Sequence, residues 1–188
     1  MLKNLIKEDI DLKKKLIKFD NKILKIIQIL NLKFSGNKQV FICGNGGSAA
    51  DAQHLSAEFL VRLRPNINRK PYPLINLMQD SSTFSACSND FNFDQIFKRN
   101  LQALGKKGDV LICLSTSGNS KNIINVIKFA KKEGILVISF LGKDGGKCKN
   151  LSDIELIIPS RKTAKIQECH IMLGHYILEK VEDKLLNV

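Results

Sequence analysis

The chain has 188 residues, 44% of them apolar, enough to bury one substantial core with no obvious room for two independent domains. Its formal charge of +12 comes mostly from lysine scattered along the chain. The lack of a basic, aromatic-interleaved segment argues against nucleic acid as a partner and leaves an anionic small substrate compatible.

From Leu2 to Leu32 the apolar residues Leu5, Ile6, Leu16, Ile23, Leu24, Ile27 and Leu30 recur near helical spacing with no Pro or Gly between them, which predicts a long helix or a helix pair. The apolar stripe is wide for the surface of a monomer, so a subunit interface is expected there. No uncharged apolar run reaches the ~18 residues of a membrane span. With Glu8, Asp9 and Asp11 among the first lysines, we expect neither a signal peptide nor an anchor.

After this segment the rhythm changes to short apolar runs, each followed by a small-residue turn and a helical pattern: Val40 to Cys43, Leu74 to Leu77, Val110 to Leu114, Leu136 to Phe140 and Ile154 to Ile158. Such βα repetition implies a mainly parallel sheet with helices on both faces, whose ligands bind beyond the carboxyl ends of the strands. The five cysteines, Cys43, Cys87, Cys113, Cys148 and Cys169, form no C-x-x-C pair and sit mostly in apolar stretches, which fits a reducing cytoplasm.

Two post-strand segments have the composition of anion sites. Cys43-Gly44-Asn45-Gly46-Gly47-Ser48 precedes a helix expected from Ala49 onward, with glycines that let the backbone approach a ligand and Ser48 as a cap. Alone this is a weak signal, since many strand-to-helix turns are Gly-rich for packing reasons. Ser115-Thr116-Ser117-Gly118-Asn119-Ser120 places four hydroxyls and a glycine before the helical stretch Lys121 to Lys132, a composition suited to holding phosphate through neutral donors and a helix dipole. It lacks P-loop spacing.

Acid/base chemistry has few places to reside. His54 and Glu58 stand four apart, hence on one helix face, and Gln167 and His175 differ by roughly 80° around a helix and share a broad face. His and carboxylate side chains bind zinc or transfer protons, although an isolated His–Glu pair on a helix is more often a surface contact.

The strings Gly44 to His54, Ser88-Asn89-Asp90, Gly108-Asp109-Val110, Ser115 to Ser120, Gly142-Lys143-Asp144-Gly145-Gly146 and Ile166-Gln167-Glu168 run in order and resemble the phosphoheptose isomerases of the sugar isomerase (SIS) family. The resemblance implies an α/β fold, an SIS-type αβα sandwich with a central mainly parallel sheet and an N-terminal helical extension. Residues 1–34 would be a helical segment of the same domain and 35–188 the SIS domain. It implies a cytoplasmic homotetramer with active sites between subunits. The activity would be conversion of sedoheptulose 7-phosphate to D-glycero-D-manno-heptose 7-phosphate through an enediol, for lipopolysaccharide or capsule precursors.

By the same resemblance, Asn45, Gly46, Gly47, Ser48, Asn89 and Asp90 contact substrate, and Ser115, Thr116, Ser117 and Ser120 hold its phosphate. Arg62 reaches a neighbouring subunit's site, and Gln167 meets substrate as well as metal. His54, Glu58, Gln167 and His175 bind one zinc per subunit, and Glu58 and His175 form the acid/base pair. The chain departs from the family in the run Gln79-Asp80-Ser81-Ser82-Thr83 and in Lys165, where an arginine is common. Gln167 and His175 lie about 12 Å apart along an ideal helix, which strains a shared metal. Two alternatives stay open: a non-catalytic SIS regulator of a replication-initiation protein, and an SIS isomerase for another sugar phosphate.

Overall fold

The computed structural model describes residues 1–78 and 80–187. The N-terminal segment is a helix pair: α1 (Leu2–Lys14) and α2 (Asp20–Ser35) are joined by a 3₁₀ turn over Lys15–Phe19. All five expected strands form, β1 (Val40–Gly44), β2 (Leu74–Asn76), β3 (Val110–Ser115), β4 (Leu136–Gly142) and β5 (Ile154–Ile158). They build one parallel sheet in the order β2-β1-β3-β4-β5. The intervening helices are α3 (Gly47–Leu60), α4 (Ser81–Asp90), α5 (Ile96–Leu104), α6 (Lys121–Lys132) and α7 (Thr163–Leu186).

Strand alternation divides the interior into two layers. Val40, Ile42, Val110, Ile112, Leu114, Ile138, Phe140, Ile154 and Leu156 point towards α2, α3 and α7. Phe41, Cys43, Leu111, Cys113, Val137 and Leu141 point towards α5 and α6. Both faces being covered explains why the strands read as continuous apolar runs. The result is the αβα sandwich expected. No helix among the described residues is long and apolar enough to cross a membrane.

The exposed stripe lies mainly on α1, which contributes no buried residue of its own and leaves Leu5, Ile6 and Ile10 open. Its Asp9 binds Lys165 of α7 at 2.5 Å, so the lysine standing where the family often has arginine ties the extension to the sandwich. In the other departing run, Gln79 lies outside the described residues. Asp80 caps α4 by accepting from the Thr83 backbone N–H at 2.7 Å.

β1 and β3 are adjacent, but the chain leaves β1 for β2 on one side and reaches β3 on the other. Strand order therefore reverses between them, and a crevice opens where the two glycine- and hydroxyl-rich loops emerge side by side. Gly44 is paired in register with Leu114, which puts Asn45 level with Ser115.

Candidate active site

The loop after β1 turns at Gly46, whose φ of +55° suits glycine, and Gly46 rather than Ser48 occupies the cap position of α3. The helix begins at Gly47, two residues earlier than expected. Ser48 is buried within its first turn and makes no side-chain cap bond. Asn45 instead reaches across the crevice: its side-chain amide and that of Asn122 in α6 exchange two hydrogen bonds of 2.9 Å each. Asn122 is 1% exposed and joins the two loops. The sequence signal for it was slight, a polar residue at a position of α6 where the pattern calls for an apolar one.

The hydroxyl loop is held in shape from within and from the loop after β4. Ser115, at the buried end of β3, accepts from the Gly118 N–H at 3.1 Å, and Ser117 accepts from the Asn119 N–H at 3.2 Å. Gly118 has φ +63°, and a Cβ there would fall 1.9 Å from the Gly145 carbonyl oxygen. The Cys148 N–H donates to the Gly118 carbonyl at 2.9 Å, and the Lys147 N–H donates to the Asn119 side chain at 3.1 Å. Ser120 stands at the cap of α6 without using its hydroxyl on the helix, and Thr116 and Ser120 are both half-buried. In the first turn of α6 the Ile123 N–H donates to the Asn122 side chain at 2.9 Å and the Ile124 N–H to the Ser120 carbonyl at 3.0 Å.

Helices α3 and α7 descend side by side from the carboxyl edge of the sheet, and three contacts set their registry. At the top, the Gln167 amide lies against Gly47, where a Cβ would fall 2.4 Å from its Nε2. One to two turns down, Gly174 meets Leu55, and a Cβ on Gly174 would lie 2.6 Å from a Leu55 methyl. That close approach brings the neighbouring residue His175 to α3. His175 Nε2 lies 2.8 Å from His54 Nε2, and His54 Nε2 lies 3.3 Å from Glu58 Oε1. Lowest, Arg69 and Glu182 link the two helices.

His54, Glu58 and His175 offer three ligand atoms all within 4.8 Å of one another. Two imidazole nitrogens and a carboxylate oxygen form a donor set that suits a borderline ion such as zinc. Two Zn–N bonds at a tetrahedral angle would separate the nitrogens by about 3.3 Å, so the pair needs to open by only about half an ångström. The three residues could therefore hold a metal ion. Asp51, one turn above His54, has a buried Oδ2 with no hydrogen-bond partner. Burial pushes its carboxyl above the usual range, opposed by the fields of His54 and His175. Nothing in its spacing distinguished it from a solvent-facing helix residue.

The remaining expected residues are dispersed. Asn89 and Asp90 close α4, exposed and bonded to each other at 2.9 Å. Arg62 is exposed just beyond α3. His170 is buried, with Nε2 donating to the Leu141 carbonyl at 3.2 Å, and belongs to the core.

An SIS domain family model matches residues 11–142. A phosphoheptose isomerase of Clostridium acetobutylicum is 46% identical to the chain over 96% of its length and 92% of that protein. One of Sulfurimonas denitrificans is 40% identical over 98% and 95%. The chain belongs to the phosphoheptose isomerases of the SIS domain family. The fold agrees: the solved phosphoheptose isomerase of Neisseria gonorrhoeae superposes with a TM-score of 0.87 at 34% identity, covering 97% of each chain. That of Francisella tularensis superposes with 0.88 at 30%, covering 97% and 96%.

Proposed function

We propose that the chain is an aldose–ketose isomerase acting on sedoheptulose 7-phosphate and producing a heptose 7-phosphate. The observation that carries this reading is the convergence of His54, Glu58 and His175 from two helices onto one point below the crevice. The phosphoheptose isomerases among its relatives give the substrate class. A regulator without catalysis has no chemical use for such a cluster, so the enzymatic reading is preferred to it.

The substrate's phosphate would rest on Ser115, Thr116, Ser117 and Ser120 and the N-terminus of α6, with Asn45, Gly46, Gly47 and Ser48 along its carbon chain, Asn89 and Asp90 contacting it as well, and Arg62 reaching a neighbouring subunit's site. Fixing the non-reacting phosphate positions the carbons that exchange a proton. Glu58 then takes the proton from the carbon next to the carbonyl and returns it to the neighbouring carbon, while His175 moves the proton between the two oxygens of the enediol. Only one Glu58 oxygen faces His54, which leaves the other for substrate.

His54, Glu58 and His175 would hold zinc, one per subunit. Bound there, zinc would supply Lewis-acid polarisation of the sugar oxygens. Gln167 is the fourth residue proposed for this set; its amide beside Gly47 favours a hydrogen bond to the substrate. The unpaired cysteines suit a cytoplasmic enzyme. The open stripe on α1 suits a homotetramer whose sites lie between subunits. Incubating the purified protein with sedoheptulose 7-phosphate and identifying an aldoheptose 7-phosphate by NMR tests the reaction. Absence of that product, with turnover of another ketose phosphate, would shift the reading to a different sugar.

A further inference from the structure

Glu182 in α7 is fully buried, and both its oxygens are taken by arginines of the segment that follows α3. Arg69 Nε donates to Oε1 at 2.5 Å and Arg64 Nε donates to Oε2 at 2.6 Å. The Arg69 side chain is 1% exposed, and its guanidinium lies over the rings of Phe59 and Tyr72. The rest of its planar fork points at backbone. Nη1 donates to the Phe59 and Lys70 carbonyls at 3.0 Å each, and Nη2 donates to the carbonyl of Glu58 itself at 2.8 Å. The Glu58 and Phe59 carbonyls belong to the last turn of α3, which has no intrahelical partners for them.

Glu182 lies about two turns beyond His175 on nearly the same stripe of α7. One rigid guanidinium thus connects the backbone of Glu58 to the helix that carries His175. A buried ion pair is a poor source of stability compared with apolar packing, and its best-attested use is to specify register. We propose that Arg69, locked by Glu182, is a positioning residue that sets the spacing of Glu58 and His54 against His175. The proposal rests on the reading of these three as the metal-binding and acid/base cluster.

The test uses Arg69→Lys, which keeps the charge but not the planar fork, and Glu182→Gln, which keeps the shape. The imidazole proton resonances of the three histidines are recorded first, with His170 as an internal reference because it is buried elsewhere on α7 and bonds Leu141 of β4. Zinc affinity by chelator competition and kcat and KM for sedoheptulose 7-phosphate follow. The expected result is folded protein in which the His54 and His175 resonances move and His170 stays. Zinc affinity and kcat should both fall about 10- to 100-fold, with KM changing by less than about threefold.

A pair that only stabilises the fold would lower the melting temperature and leave the two resonances, zinc affinity and kcat of the folded variants unchanged, which overturns the proposal. Failure of both variants to fold overturns it too, since the network would then hold the fold rather than the spacing. If the parent protein does not turn over this substrate, the proposed reaction fails while the resonances and zinc affinity still decide the role of Arg69.

Discussion

His54 and His175 meet edge to face, with ring centroids 4.9 Å apart and Nε2 atoms at 2.8 Å, across 121 positions of chain. At that separation one ring N–H donates to the other ring, and the two nitrogens would instead serve as ligands for a metal ion bound there. Zinc titration into metal-free protein should therefore show one site per chain. His54→Ala should weaken it by at least tenfold at unchanged secondary structure, and dialysis against a chelator should lower activity in the parent. Equal zinc affinity in parent and variant would remove His54 from the metal site.

Glu58→Gln retains size and hydrogen bonding but no titratable carboxylate, and His175→Asn removes the ring. Turnover should fall by about 10²- to 10⁴-fold in each, and the double variant need not be worse than the more damaged single one. Solvent-deuterium incorporation beside the sugar carbonyl, followed by NMR, should fall in parallel. Parent-like exchange in both variants would end the assignment of this pair to proton transfer.

The hydroxyl loop makes a different demand. The Ser120 hydroxyl makes no cap bond to α6, so Ser120→Ala should weaken substrate by about 1.5 to 3 kcal/mol, the usual worth of a hydrogen bond to a charged group, without altering the melting temperature. Gly118→Ala should do more, because its Cβ meets the Gly145 carbonyl at a backbone angle that only glycine takes easily. Calorimetric titration with substrate checks both, and undiminished affinity in Gly118→Ala would place the phosphate elsewhere.

His170 gives stability a pH dependence of its own. Burial lowers its pKa from 6.5 to about 4, partly countered by its bond to Leu141. Between these values the unfolded chain binds a proton that the folded chain refuses. The contribution is therefore complete above about pH 6.5 and is lost as pH falls to about 4, a change of about 3 kcal/mol. Urea unfolding at pH 7, 5.5 and 4.5 should show a shallower slope for His170→Gln than for the parent. Equal slopes would mean that the ring charges in place.

Strands and loops were legible because a strand covered on both faces must be apolar throughout and must end where small residues begin. The helix α4 was not, since Ser81 to Asp90 is mostly polar and only Cys87 is buried. The cluster could be suspected from the spacing of His54 and Glu58, but its third member depends on Gly174, which in sequence is one small residue inside a helix. Arg69 and Glu182 were invisible for a similar reason. Their partnership spans 113 positions, and a charged pair at such distance has no periodicity to announce it.

Cys43 and Cys113 face each other in register on adjacent strands with sulfurs 3.8 Å apart, and Cys87, Cys148 and Cys169 are buried as well. Burial raises the Cys113 and Cys169 thiols and pushes Cys148 up to about 11, so these three carry little nucleophilic thiolate at neutral pH. Alkylating reagents should then wait for the sandwich to open, and labelling rates should work as an internal clock for each layer. Cys43, Cys113 and Cys148 report on the α5–α6 side and Cys169 on the side of the α3–α7 seam. Substrate or metal that braces the seam should slow the second clock more than the first.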